Sequence, residues 1–234
     1  NIDLSKAASW YKRAAEAGFP EAKYQFGLMH LNGEGLRENS TEGFKWVTQA
    51  AEDGYEYAYY ILGLLYGEGN GTQKNSEYAY IWFRKAAELG VEDAQFEVGV
   101  RLLDGIGITE NDPEGFYWIK QSAENNYQSS YTILADLYYN GEGTNIDFSA
   151  AATWYEKAAK ADSLEAKYQF GRMLINGEGV EQDTTKGTQL LQKAAESGYV
   201  HAQRVLGDYH FFRSFGSQSD DKAKFWYLQA ARQE

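Results

Sequence analysis

The sequence predicts an all-α fold, a solenoid of antiparallel helix pairs stacked with a 36-residue period. Three observations carry that expectation. Ala-Ala pairs open at Ala14, Ala50, Ala86, Ala158, Ala194 and Ala230, and Ser122-Ala123 fills the one gap in the series. The heptapeptide EAKYQFG at Glu21–Gly27 returns four periods later at Glu165–Gly171. Every tryptophan stands in one column, Trp10, Trp46, Trp82, Trp118, Trp154 and Trp226, with Leu190 in the remaining place. Self-similarity at a fixed spacing of this size is the signature of a repeat array.

Each element follows from the columns. Asp3, Asn39, Asn75, Asn111, Asp147, Asp183 and Ser219 share a column, and such side chains accept bonds from the free N–H groups at a helix start. Pro113, just after Asp112, supports a helix beginning there. From each cap a small residue, the Trp and the Ala pair fall on one helical face, as in Gly43, Trp46 and Ala50. Gly18, Gly54, Gly90 and Gly198 then stop the helix as left-handed caps. The other half of each unit, such as Ala22, Phe26 and Met29, is a second helical stripe. It ends in a Gly-x-Gly turn that begins at Gly33, Gly69, Gly105, Gly141 and Gly177.

Two columns serve as the structural signature. Gly27, Gly63, Gly99 and Gly171, with Ala135 and Gly207, let helix backbones approach closely. Trp46, Trp82, Trp118 and Trp154 fill the space between neighbouring pairs, and truncating one to Ala should cost about 3–5 kcal/mol. Neither helix of a pair buries both faces alone, so the units must stack. The expected organisation is one solenoid over 1–234: a half repeat at 1–18, then full repeats at 19–54, 55–90, 91–126, 127–162, 163–198 and 199–234. The chain opens at the cap of a second helix and ends with another, as would a segment trimmed from a longer array or a mature chain that lacks its capping units. Arg213-Ser214-Phe215 stands where the last Gly-x-Gly is due.

Composition narrows function. The 234 residues carry a net charge of −12, which repels phosphate backbones and anionic lipids, and no basic stripe offsets it. Neither nucleic acid nor membrane insertion is expected. The longest apolar run, around Ala58–Tyr66, is far too short to cross a bilayer. No signal peptide is visible. Cysteine is absent, so disulfides and thiolate chemistry are excluded and the compartment stays open.

The order Ala166, Tyr168, Phe170-Gly171, Met173, Gly177, Gly179-Val180, Asp183, Lys186, Lys193-Ala194-Ala195, Gly198 resembles the Sel-1-like repeat, a relative of the tetratricopeptide repeat. The resemblance covers the whole chain and is specific, since the tetratricopeptide period is about 34 residues and has no Gly-x-Gly turn. It implies a right-handed α/α superhelix with the first helix of each pair on the concave face. It also implies an adaptor, as in bacterial signalling, host interaction, envelope processes and endoplasmic-reticulum degradation. A bacterial periplasmic or secreted setting is slightly favoured over the cytoplasm on the same ground. Cysteine-rich relatives are associated with penicillin binding, but this chain has none of their cysteines.

Candidate chemistry is sparse. Gly-x-Gly follows no strand and precedes no GK[ST], so it reads as a turn and not a phosphate loop. His30 and His210 share a column with Tyr66 and Tyr138, where a ring packs inside the repeat, and His201 lies on the exposed stripe. No Ser/His/Asp set and no metal-ligand spacing is readable, so no catalytic residue, no metal and no cofactor is expected. Asn39-Ser-Thr and Asn70-Gly-Thr match glycosylation sequons, but both sit in turn or cap columns.

What varies between units points to a site. On the first helices the stripe Glu21, Gln25, Leu28, Asn32 lies opposite the core positions. Its equivalents are Tyr57, Ile61, Leu64, Glu68, then Asp93, Glu97, Val100, Asp104, then Ser129, Ile133, Asp136, Asn140. Tyr57, Ile61, Leu64, Val100 and Ile133, ringed by Glu68, Glu97, Asp104 and Asp136, form a candidate partner-binding patch on the concave face. The alternative is a helical phase off by about 40°, which makes these residues partly core. The leading expectation is a non-enzymatic scaffold that binds a partner protein or peptide with basic and apolar residues. The alternative is an immunity or inhibitor protein that neutralises a secreted toxin, for which tight one-to-one binding would be the discriminator.

Overall fold

A computed structural model describes residues 3–213 and 217–233. Among these the chain is helical throughout: α1 (Leu4–Glu16), α2 (Pro20–Asn32), α3 (Ser40–Glu52), α4 (Tyr57–Glu68), α5 (Ser76–Glu88), α6 (Glu92–Leu103), α7 (Asp112–Glu124), α8 (Ser129–Asn140), α9 (Phe148–Lys160), α10 (Leu164–Asn176), α11 (Thr184–Glu196), α12 (Val200–Arg213) and α13 (Ser217–Ala231). The chain divides into two compact units, Asn1–Tyr127 and Gln128–Glu234. In the first, α2 packs on α3, α4 on α5 and α6 on α7, and each pair also packs on the helix before it. In the second, α8/α9, α10/α11 and α12/α13 pair in the same way.

The caps explain these boundaries. Asp3, Asn39, Asn75, Asn111, Asp147 and Asp183 each precede a second helix, and each side chain accepts a backbone N–H three residues on. That satisfies one of the orphan donors of the first turn. The column fails at its last member. α13 begins at Ser217, so Ser219 lies inside the helix. The last repeat lacks the two glycines that set the cap position elsewhere, and α12 runs on to Arg213; Ser214 and Phe215 lie outside the described residues.

At the helix ends, Gly18, Gly54, Gly90 and Gly198 take φ of 95°, 85°, 89° and 93°. Two of the repeats without that glycine place Asn126 (70°) and Asp162 (68°) there, the side chains that best tolerate a left-handed backbone. The second glycine of four of the Gly-x-Gly turns has a further role. A methyl group on Gly35, Gly71, Gly107 or Gly179 would stand 2.1–2.3 Å from the carbonyl oxygen of Leu4, Ser40, Ser76 or Phe148. Each contact is with the first residue of the second helix one repeat earlier, so the turn docks one repeat onto the next.

Within a pair the helices approach closely at the Gly27 column. An added methyl would meet the Val47 side chain at 2.8 Å from Gly27, the Phe83 ring at 2.6 Å from Gly63 and the Ile119 side chain at 2.7 Å from Gly99. Facing it, the small column of the second helices alternates: Ala7, Gly43, Ala79, Gly115, Ala151, Gly187, Ala223. Glycine therefore faces glycine in every other repeat, at Gly27/Gly43, Gly99/Gly115 and Gly171/Gly187. The packing unit is thus 72 residues, two repeats.

The tryptophans of the column lie at different depths. Trp118 is buried in the cluster of Ala79, Phe83, Val98 and Leu102. Trp46, Trp82 and Trp154 are half-buried, against Phe26, Tyr59 and Tyr131 respectively. Trp10 is 65% exposed.

Candidate functional site

In the first unit the candidate patch is carried by α4 and α6. Tyr57 is 72% exposed, and Glu68 and Asp104 are exposed at the far ends of their helices. Ile61, Leu64, Glu97 and Val100 are half-buried. Ile61 packs against the cluster of Val47, Ala50 and Leu62, and Leu64 against that of Ala79, Phe83 and Val98. These two side chains thus hold the core with one side and face outward with the other. Glu97 pairs with Arg101 at 3.5 Å. Ile133 and Asp136, half-buried on α8, carry the same columns in the second unit.

Further aromatic rings interleave with these positions beyond the apolar and acidic residues of the patch. Tyr24 meets Tyr55 at a ring separation of 5.2 Å, Tyr55 meets Tyr57 at 5.4 Å, and Phe96 meets Tyr127 at 5.2 Å. The same pairing returns at Tyr168–Tyr199 (5.5 Å), and a Thr132–Ser163 hydrogen bond of 3.2 Å takes its place between them in sequence. The signal is a pair of columns 31 residues apart. Burial first, and then the charges of Asp93, Glu97, Tyr127 and Glu68, push the Tyr60 phenol up to about 12. Acids of α4 and α6 therefore share one field around Tyr60, and that field favours an incoming cation.

Asp136 has a separate role. It accepts a hydrogen bond from the Tyr155 hydroxyl, whose ring is buried on α9. Burial raises the Asp136 carboxyl to about 6 against that hydrogen bond, with Glu165 and Glu142 adding to the rise. Two repeats on, Tyr227 donates to Asp208 at 2.6 Å in the same two columns.

The other sequence candidates take structural places. The Phe26 and His30 rings meet edge-to-face with centroids 4.6 Å apart, and burial lowers the His30 pKa. His201 is exposed beside the Tyr168 and Tyr199 rings. Asn39 is engaged as a helix cap. Among the described residues no cluster of His, Cys, Asp or Glu could hold a metal ion, and no helix is long and apolar enough to cross a membrane.

The Sel1 repeat matches residues 2–19, 20–55, 56–91, 92–127, 129–163, 164–199 and 200–234. No curated protein matches the chain. Among solved structures, the chain is similar over its full length to a protective antigen of uropathogenic Escherichia coli displaying an SLR fold, at 31% identity and a TM-score of 0.84. It spans 49% of that protein's length. It is also similar to a Sel1 repeat protein from Oxalobacter formigenes, at 25% identity and a TM-score of 0.72, with 98% of this chain and 97% of that one covered. Both likenesses agree with an all-α superhelical repeat fold, and proteins built of Sel1 repeats are generally protein-interaction modules. Seven matched repeats, six with their capping and left-handed turn residues in place, make this chain a member of the Sel1 repeat family.

Proposed function

We propose that the chain is a non-enzymatic scaffold that holds a partner protein or peptide on the face of α4 and α6, read as part of the concave face. The observation that carries the reading is exposed Tyr57 beside the half-buried Ile61 and Leu64, with Glu68, Asp93, Glu97 and Asp104 around them. Apolar surface ringed by one sign of charge suits a segment in which Lys or Arg flanks an apolar anchor. Tyrosine faces add to this, because they attract cations that approach them. Val100 belongs to the same surface, and Ile133 and Asp136 extend its columns into the second unit.

The test is affinity capture from the native source, with Tyr57→Ala/Glu68→Lys/Asp104→Lys against wild type. These three positions are exposed, so the variant keeps its fold, whereas Ile61→Asp or Leu64→Asp would also damage the core. Loss of a captured protein on the variant, together with capture that weakens as salt rises, supports the reading. Equal capture by both proteins overturns it.

A further inference from the structure

Four of the chain's lysines converge on one groove of the second unit, against the overall charge of −12. The groove lies between α9, α10 and α11 and has a volume of about 340 Å³. Phe170 and Leu190 line its apolar wall, and Lys160, Lys167, Lys186 and Lys193 stand around it. Its origin lies in three column changes. Two repeats earlier the equivalent place holds buried Trp118, with the Arg84 guanidinium 4.9 Å over its ring and Arg84 paired to Glu114. In the groove, Leu190 replaces the tryptophan, Glu156 the arginine and Lys186 the glutamate. The ion pair survives with its polarity reversed, Lys186 to Glu156 at 3.1 Å. The indole does not survive.

A second observation says what is missing. The base three residues after the tryptophan stacks on that ring in three other repeats: Arg13 over Trp10 at 4.7 Å, Lys85 over Trp82 at 3.9 Å and Lys157 over Trp154 at 4.7 Å. Lys193 holds that position behind Leu190, so it has no indole of its own repeat to cover, and the Phe170 ring of the groove wall is faced by Lys186 at 5.2 Å. Nor is the lysine charge balanced. Lys160 and Lys186 share the single carboxylate of Glu156 at 3.3 and 3.1 Å, and Lys167 pairs with Asp162 at 2.7 Å. Two carboxylates thus face four ammonium groups.

We propose that this groove docks a partner-protein segment in which an aromatic side chain, best a tryptophan, is flanked by Asp or Glu. The guest ring enters where the repeat's own indole is absent and lies under Lys193, and the flanking carboxylates meet Lys160 and Lys186. Cations over aromatic faces and complementary charge at the rim are the two attractions. The site lies on other helices than α4 and α6, takes a segment of opposite charge, and does not depend on the function proposed above.

The test titrates the full 234-residue chain, labelled with 15N, with an end-capped Glu-Asp-Trp-Asp-Glu peptide. The expected result is amide shifts confined to α9, α10 and α11, with binding about tenfold weaker when the peptide's Trp is Ala. Leu190→Trp refills the slot from within and should weaken binding by a similar factor while the melting temperature holds or rises. Lys160→Glu/Lys193→Glu changes two exposed side chains and should abolish binding with the fold intact. The proposal is overturned if Leu190→Trp binds the peptide as wild type does, or if the shifts fall on α4 and α6. It is equally overturned if acetate alone gives the same shifts at the same concentration, if the lysine variant dissolves a self-associated form without any peptide binding, or if millimolar peptide gives no shift.

Discussion

Gly54 and Gly71 look alike in the sequence, yet the structure asks different things of them. Gly54 has φ of 85° and open space where a Cβ would be, while Gly71 has φ of 72° with the Ser40 carbonyl oxygen 2.1 Å from that position. Gly54→Ala carries only the left-handed backbone penalty, about 1–2 kcal/mol. Gly71→Ala adds a collision with helix backbone that cannot swing away, so its cost should reach about 3 kcal/mol or more. Urea unfolding of the two variants checks the ranking, and equal losses would mean that the turn does not dock the repeats. Asp136 gives a second prediction at this scale. Its folded pKa is raised to about 6 from 3.8, so the native state favours the protonated carboxyl. Its contribution is therefore complete below pH 3.8 and is lost as pH rises through about 6. Asp136→Asn keeps a neutral partner for Tyr155, and it should be more stable than wild type at pH 7 by about 1–3 kcal/mol. That gain should vanish near pH 4, as thermal melts across pH would reveal. A gain that does not change with pH rules out the protonated carboxyl.

Among the elements, the second helices were the most legible. Their caps, their left-handed ends and their Trp column stand at one spacing, and backbone hydrogen bonding demands particular side chains at each of those places. The first helices were less so. A period fixes which residues are equivalent but not which way each equivalent set faces, and Ile61 and Leu64 prove to be shared between core and surface. The two-repeat alternation of Ala and Gly was in the sequence, but reading that column simply as small residues hid it, because its meaning lies in which backbone it faces. The tryptophan column also concealed a range of burial. Trp118→Ala removes a buried indole and should cost about 3–5 kcal/mol, whereas Trp46→Ala, from a half-buried site, should cost distinctly less. Trp10→Ala, at an exposed site, should fall within about 0.5 kcal/mol of wild type. Denaturant midpoints for the three would settle the order, and equal costs would mean that burial does not govern the column.

For the whole molecule the governing quantity is charge and where it lies. Residues 1–127 carry twenty Asp and Glu against eleven Lys and Arg, and residues 128–234 carry fourteen against eleven. The first unit is therefore the strongly acidic one, and it carries the acidic face of α4 and α6; the second carries the lysine groove of α9–α11. Salt acts on two opposing effects here. Ion pairs such as Lys12–Glu16 and Lys120–Glu124 join exposed side chains, and such pairs are worth about 0–1 kcal/mol each. Repulsion among the excess carboxylates acts over the full Debye length, about 30 Å at 0.01 M salt and about 3 Å at 1 M. The repulsion should win, because an excess of one sign destabilises the compact state as a sum over many pairs. Raising NaCl from about 0.01 M to about 0.5 M should thus raise the melting temperature, while the same change weakens a basic partner's hold on α4 and α6. Opposite slopes for stability and binding, measured in one salt series by calorimetry and titration, are the expected outcome. A melting temperature that falls with salt would mean that the ion pairs outweigh the carboxylate excess, and the first unit could not then be treated as an acidic field.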